Sequence, residues 1–259
     1  MKDDTARGPR FQTADLGPAI DFALEVHACQ ARKGTSTPYV SHPMQVAAIA
    51  MEYGAELVQT RAALLHDVLE DGGAPEALRE RITVEFGSEV AALVDAASER
   101  RPAPDTPWSE RKATFLGRLA STPARAKLVI ASDKLANVHS LLRDRVRDAA
   151  VWRRFRATPA EQVRYFGGCI RELRKGETTP ELLELLDELE RRTLELAGAL
   201  LLEGTIGLGP GCPLCGRAPL DPPCPICGHP TRGIVDDSGR HWLNCPDCYR
   251  AARERAGRA

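Results

Sequence analysis

No uninterrupted apolar run in this chain is long enough to cross a bilayer. The most apolar late stretch, Leu194 to Leu202, is short and flanked by charged helix. The first residues, Met1-Lys2-Asp3-Asp4, are charged and lack the apolar core of an export signal, so the expected compartment is the cytoplasm. Charge is not in excess either. The formal net charge of the 259 residues is -1, which excludes a global field that would gather nucleic acid or an anionic membrane. No convincing strand pattern precedes residue 205, and no internal repeat is found. Cysteine is scarce over the same region: only Cys29 and Cys169 occur there, both in helical contexts and expected to be buried thiols.

What is present is helical periodicity. Residues 1–12 read as a loose polar arm carrying Gly8-Pro9. Three- and four-residue apolar steps start near Asp15 and run to His27 (Leu16, Ile20, Ala23, Leu24). A basic loop, Arg32 to Tyr39, follows. Ser41 is expected as an N-cap, with Pro43 just inside a helix running to Gly54. Further helices are expected over 56–71, 77–86, 88–97, 109–120, 124–143, 152–155, 160–173 and 180–202, with Gly87 joining two of them. The three prolines between Arg100 and Pro107 forbid a helix there and make either a loop beside a site or a long connection. The fold expected for 13–203 is an all-α bundle.

The stretch Ala62 to Asp71 concentrates the chemistry. On a helix, Leu64, Leu65, Val68 and Leu69 fill an apolar sector, while His66, Asp67, Glu70 and Asp71 share the remainder. Unpaired buried charges cost several kcal/mol each, and a divalent cation would neutralise them. His42 and Asp133, each set in an apolar helix, can complete such a site. Two histidines and two aspartates make a mixed nitrogen–oxygen set that favours Mn²⁺ or Fe²⁺, with Zn²⁺ also possible.

The ordered pattern His42, His66-Asp67, Asp133 resembles the HD superfamily of metal-dependent phosphohydrolases. The flanking blocks Arg32-Lys33, Pro38 to Pro43, Ala63 to Asp71, Phe86-Gly87 and Asp133-Lys134-Leu135-Ala136-Asn137 narrow the resemblance. They look like the hydrolase domain of the RelA/SpoT type, including its small stand-alone members, which cleave the 3′-pyrophosphate from ppGpp and pppGpp, usually with Mn²⁺. The resemblance implies that His42, His66, Asp67 and Asp133 hold the metal. It implies that Glu70 and Asp71 orient or deprotonate the attacking water. Arg32, Lys33, Asn137 and Tyr165 would then meet the nucleotide substrate. Ala96-Ala97-Ser98, where the family often carries Gly-Val-Thr, and Ala136 depart from the pattern without removing a ligand. His27 is read as a core or supporting histidine and His139 as a surface or packing one. Arg143-Asp144-Arg145 and Arg153-Arg154 are read as solvated faces. The leucine-rich helix over 180–202 either docks on the bundle or contacts a second copy of the chain.

From Gly204 the composition turns to glycine, proline and cysteine, so 204–259 reads as a separate module. Six cysteines form three C-x-x-C pairs, Cys212/Cys215, Cys224/Cys227 and Cys245/Cys248. Such pairs are poor disulfides and good metal knuckles. Ile234-Val235 and His241-Trp242-Leu243 flank a turn and suggest a β-hairpin. The expectation is a zinc ribbon with Cys224, Cys227, Cys245 and Cys248 around Zn²⁺. Cys212 and Cys215 form an alternative or second pair. Such a module serves as a structural staple or a protein contact, with nucleic acid less favoured. Three functions therefore stand. The first is removal of the 3′-pyrophosphate of (p)ppGpp, the second HD hydrolysis of another nucleotide or phosphate ester, the third nucleotide sensing without catalysis.

Overall fold

The computed structural model describes residues 8–99, 106–148, 150–202, 232–235 and 241–244. A 3₁₀ turn over Thr13–Leu16 leads into α1 (Gly17–Val26). Helices α2 (Ser41–Glu52), α3 (Leu57–Leu65) and α4 (Val68–Asp71) follow. Next come α5 (Pro75–Phe86), α6 (Ser88–Ala97) and α7 (Trp108–Leu119). The last three are α8 (Ala124–Arg147), α9 (Pro159–Leu173) and α10 (Pro180–Leu202). The described residues up to Leu202 contain no strand, as the apolar periodicity implied.

Helix α8 is the axis of the bundle. It packs against α2, α3, α6, α9 and α10. Its segment Ala126 to Ala136 is buried throughout, because neighbours cover it on every side. That enclosure takes in Lys127, whose ammonium donates to the carbonyls of Lys175 and Glu177 in the α9–α10 connection. A buried ammonium is tolerable there only because it is hydrogen-bonded. Helix α3 is the second central element, against α1, α2, α6 and α8. Helix α10 lays Leu182, Leu185, Leu186 and Leu189, all fully buried, onto α8 and α9. Each such leucine contributes roughly 1.5–3 kcal/mol by leaving water. This apolar face is thus used within the chain.

Local features explain the boundaries. Gly87 joins α5 to α6 at φ 93°, a left-handed conformation that a side chain would strain. A capping box closes the start of α9, with Thr158 and Glu161 exchanging hydrogen bonds. Ser41 is not an N-cap. Val40 is already helical, and the Ser41 hydroxyl donates back to the Pro38 carbonyl at 2.8 Å. Cys29 is exposed in the turn beyond α1 rather than buried in a helix, whereas Cys169 is buried.

The largest departure from expectation is the helix over 56–71, which is interrupted at His66-Asp67. The His66 carbonyl accepts the Ser98 hydroxyl at 3.1 Å, while the Glu70 and Asp71 amides both turn to the Asp67 carbonyl. A side chain inserted into the helical ladder is a recognised cause of such a break. In the C-terminal segment, β1 (Arg232–Val235) pairs antiparallel with β2 (His241–Asn244), Ile234 opposite Trp242. Cys212, Cys215, Cys224, Cys227, Cys245 and Cys248 lie outside the described residues.

Candidate metal centre and substrate cavity

The start of α2, the α3–α4 break and the middle of α8 bring four side chains to one point. His42 Nε2 lies 3.1 Å from Asp133 Oδ1 and 3.4 Å from Asp67 Oδ2. His66 Nε2 lies 3.0 Å from Asp67 Oδ2 and 3.6 Å from Asp133 Oδ1. Ligating atoms of His42, His66 and Asp133 all fall within 4.8 Å of one another, and all three residues are buried.

The donor set suits a cation. The His66 Nδ1 faces the Ala63 carbonyl at 2.8 Å, which directs the Nε2 lone pair into the cluster. That buried Nε2 has no aligned hydrogen-bond partner although two carboxylates stand close. Burial opposes the charged form of His66, but Asp67 and Asp133 outweigh it and hold its pKa well above the usual value. Burial would raise Asp133, yet Lys134 and the two histidines hold it well below the carboxylate range. Burial likewise works against the Asp67 anion, and His66 and His42 more than offset it. Burial lowers the pKa of His42 and leaves it a neutral donor. Two carboxylates and the neutral His42 stand in the forms a divalent cation binds, and His66 joins them when the cation displaces its proton, so the donor set fits such an ion.

Supporting groups hold the ligands in place. The Tyr39 hydroxyl donates to Asp67 Oδ2 at 2.6 Å. Burial, then the charges of Asp67 and Asp71, push the Tyr39 pKa far up, so it stays a donor. Asn137 Nδ2 donates to Asp133 Oδ1 and Lys134 Nζ to Asp133 Oδ2, both at 2.6 Å. Burial disfavours the Lys134 charge, but Asp133 keeps it protonated. Lys134 Nζ also lies 5.1 Å from the centre of the Phe115 ring.

Glu70 stands beside the cluster, not in it. Its residue keeps solvent exposure. Its carboxyl is nonetheless crowded by protein, and Oε1 accepts the Glu99 amide at 2.5 Å. Burial and the nearby Asp67 charge push the Glu70 pKa up to about 7. Asp71 is exposed, and burial of its carboxyl and Asp67 raise its pKa too. The Glu99 carboxylate pairs with Lys112, and Arg118 donates to the Ser98 carbonyl. The Ser98-Glu99 corner therefore braces both the helix break and Glu70.

A cavity of about 270 Å³ opens next to the cluster. Its wall includes Arg32, Lys33, Asn137 and Tyr165, the four residues expected to meet substrate. The basic loop reaches it on a short turn: the Arg32 amide donates to Thr37 and the Tyr39 amide to Gln30. Arg32 sits 5.7 Å from the Tyr39 ring centre and Lys33 5.8 Å from that of Phe155. Trp108, Lys112, Lys134, Arg154 and Phe155 also line the cavity. None of these was expected to meet substrate, and Arg154 was read as a solvated charge. Lys134 had a signal, its place beside Asp133; the others had none.

Residues 19–156 match the HD domain family, just over half of the chain. The chain belongs to the HD family. This HD protein is 35% identical over 128 residues to the guanosine-3′,5′-bis(diphosphate) 3′-pyrophosphohydrolase MESH1 of Xenopus tropicalis, covering 48% of this chain and 68% of that one. It is 35% identical over 136 residues to the Danio rerio MESH1, covering 51% and 71%. Among solved structures, the HD protein resembles a metazoan orthologue of SpoT described as hydrolysing ppGpp. The TM-score is 0.55 at 29% identity, covering 70% of this chain and 97% of that one. A Listeria monocytogenes protein matches with a TM-score of 0.51 at 30% identity, covering 59% and 96%. Among the described residues no helix is long and apolar enough to cross a membrane.

One reading of the remaining side chains changes, and the reading of His27 holds. Arg154 is not on a solvated face; it reaches over Gly34 of the basic loop and into the cavity wall. Buried His27 supports the site: its Nδ1 meets Gln30 at 2.8 Å and its ring packs 4.8 Å from Tyr39.

Proposed function

We propose that this HD protein is a divalent-metal-dependent phosphohydrolase that removes the 3′-pyrophosphate of ppGpp and pppGpp. The observation that carries the reading is the convergence of His42, His66, Asp67 and Asp133 beside a cavity walled by Arg32, Lys33, Lys134 and Asn137. The relatives' names, which specify this reaction, support the choice of substrate.

His42, His66, Asp67 and Asp133 hold the ion, with Mn²⁺ favoured by the mixed donor set. When bound, the ion supplies a water of lowered pKa and polarises a phosphoryl oxygen. Glu70, with its pKa near neutrality, accepts the proton of the attacking water. Asp71 assists from the next position. Arg32 and Lys33 bind the phosphates, the guanidinium as a fork and the ammonium as a point charge. Lys134 and Asn137 fix the orientation of Asp133 through both its oxygens. Tyr165 and the neighbouring aromatic wall take the nucleoside. Water adds to the phosphorus joined to O3′, the P–O3′ bond breaks, and pyrophosphate leaves the nucleoside hydroxyl behind. The C-terminal segment is assigned to a zinc ribbon through Cys224, Cys227, Cys245 and Cys248, with Cys212 and Cys215 as a further pair. Its use is structural or for protein contact.

The test is turnover of ppGpp against other nucleotides in Mn²⁺, with Glu70→Gln beside the wild type. Release of pyrophosphate and GDP, abolished by chelator, is expected. Cleavage of another nucleotide with ppGpp untouched would refute the alarmone assignment. Tight ppGpp binding with no cleavage of any nucleotide would favour a sensor.

A further inference from the structure

Helix α4 is a single turn, Val68–Asp71, too short to hold its own backbone. Val68 and Leu69 are buried and fix one side of it, whereas Glu70 lies at its solvent edge. Glu70 therefore takes its place from outside the turn. Its Oε1 accepts the Glu99 amide at 2.5 Å, which leaves Oε2 to meet a water. Glu99 stands just beyond the end of α6, where no helix holds the backbone. What holds it comes from α7. Lys112 donates to the Glu99 carboxylate, and Arg118 donates to the Ser98 carbonyl. The Lys112 ammonium is set between Glu99 and two rings, 4.7 Å from the centre of Tyr165 and 6.0 Å from that of Trp108. The pair is largely shielded from water, with side-chain exposures of 20% for Lys112 and 15% for Glu99. The screening that makes exposed ion pairs weak is thus reduced. Helix α7 reaches Glu70 in two steps, Lys112 to Glu99 and Glu99 to Glu70.

We propose that Lys112 is a positioning residue for the hydrolysis: through Glu99 it fixes the Glu70 carboxylate where Oε2 can take the proton of the attacking water. The inference rests on the phosphohydrolase reading and adds to it a tether that starts in the cavity wall and ends at the base. A general base works only within hydrogen-bond reach of the proton it takes. A misplacement of about 1 Å can cost about 10²-fold in rate. Without Lys112, Glu99 would be an unpaired and mostly enclosed carboxylate. It would turn toward water and carry its amide away from Glu70. Lys112 also offsets the Glu99 charge, which otherwise repels the Glu70 carboxylate. The place of Lys112 in the cavity wall offers a rival role, direct contact with a substrate phosphate, and the two roles leave different kinetic marks.

The experiment is a double-mutant cycle of Lys112→Met, Glu99→Ala and the two combined, in Mn²⁺, on ppGpp or on whichever nucleotide the wild type cleaves. Neither substitution removes the Glu99 amide or a metal ligand. A thermal melt checks the fold, and Lys112→Gln replaces the methionine variant should that one melt early. Each single variant should lose roughly 10- to 100-fold in kcat, with KM and Mn²⁺ affinity nearly unchanged. The double variant should be no slower than the slower single, because both changes cut the same tether. Lys112→Arg keeps the ion pair and should retain most of kcat. A loss confined to KM in Lys112→Met, with Glu99→Ala near wild type, would overturn the proposal and make Lys112 a substrate contact. Losses that multiply in the double variant, or a fall in Mn²⁺ affinity in either single, would overturn it as well. Unchanged kcat in Lys112→Met would do so outright. A wild type that cleaves no nucleotide would instead refute the phosphohydrolase reading, and the proposal with it.

Discussion

Tyr39→Phe isolates one hydrogen bond in the metal centre. The phenol donates to Asp67 Oδ2 at 2.6 Å and remains protonated because burial and two nearby carboxylates raise its pKa. Phenylalanine keeps the ring, and with it the contacts to His27 at 4.8 Å and His42 at 6.0 Å. The change therefore removes a donor without opening a cavity. A hydrogen bond to an ionised group contributes roughly 1.5–3 kcal/mol. Loss of a group that orients a metal ligand typically weakens the metal about 10- to 100-fold, or roughly 1.4–2.8 kcal/mol. The two ranges agree, so Mn²⁺ affinity should fall by about that factor. Calorimetric titration of the metal-free protein reads it directly. Because the phenol does not ionise near neutrality, the factor should stay constant across that range. An unchanged Mn²⁺ affinity would show that Tyr39 does not hold Asp67 for the ion.

Glu70→Gln should lower kcat by roughly 10²- to 10⁴-fold while leaving Mn²⁺ affinity within a few-fold, as steady-state assays and metal titration would show; a lost metal would make Glu70 a ligand instead. Ser98→Ala strips the His66 carbonyl of its donor, and should destabilise the protein by about 1–2 kcal/mol in denaturant unfolding and reduce kcat. The pH behaviour has a definite sign. The folded-state pKa of His66 is raised above 6.5, so its contribution to metal-free stability is complete below that pH and is lost as pH rises through the elevated value. Glu70, raised from 4.5 to about 7, acts in the same direction, since its ionisation is disfavoured in the folded state. His42, held neutral by burial, acts the other way below pH 6.5, so the metal-free melting temperature should fall from about pH 6.5 to about pH 8, and metal binding at neutral pH should release protons, measurable from buffer-dependent binding heats. A melting temperature that rises over that interval would contradict the charge states assigned to His66 and Glu70.

Much of the candidate metal cluster was legible because its residues are chemically conspicuous where they stand. A histidine and acids set in apolar helices, at His42, His66-Asp67 and Asp133, break the hydrophobic period and so announce themselves. The helices were legible for the related reason that the 3.6-residue period persists over long stretches. Tyr39, Ser98 and Lys112 break no pattern, and their partners lie 28, 32 and 13 residues away. No local signal marks such bonds. The interruption at His66-Asp67 was hidden likewise, since the hydroxyl that takes the His66 carbonyl comes from the end of another helix.

By itself, then, the sequence determined an all-α bundle and named four residues whose side chains the structure brings together. Periodicity and the burial cost of charge are properties of short segments. Tertiary structure alone decided which cations share a space. Arg154 looked like a solvent-facing charge, yet the 3₁₀ turn and the basic loop bring it together with Arg32 around one groove. A charge acquires its meaning from the groups it faces, and those are chosen by how helices pack, not by where residues lie along the chain.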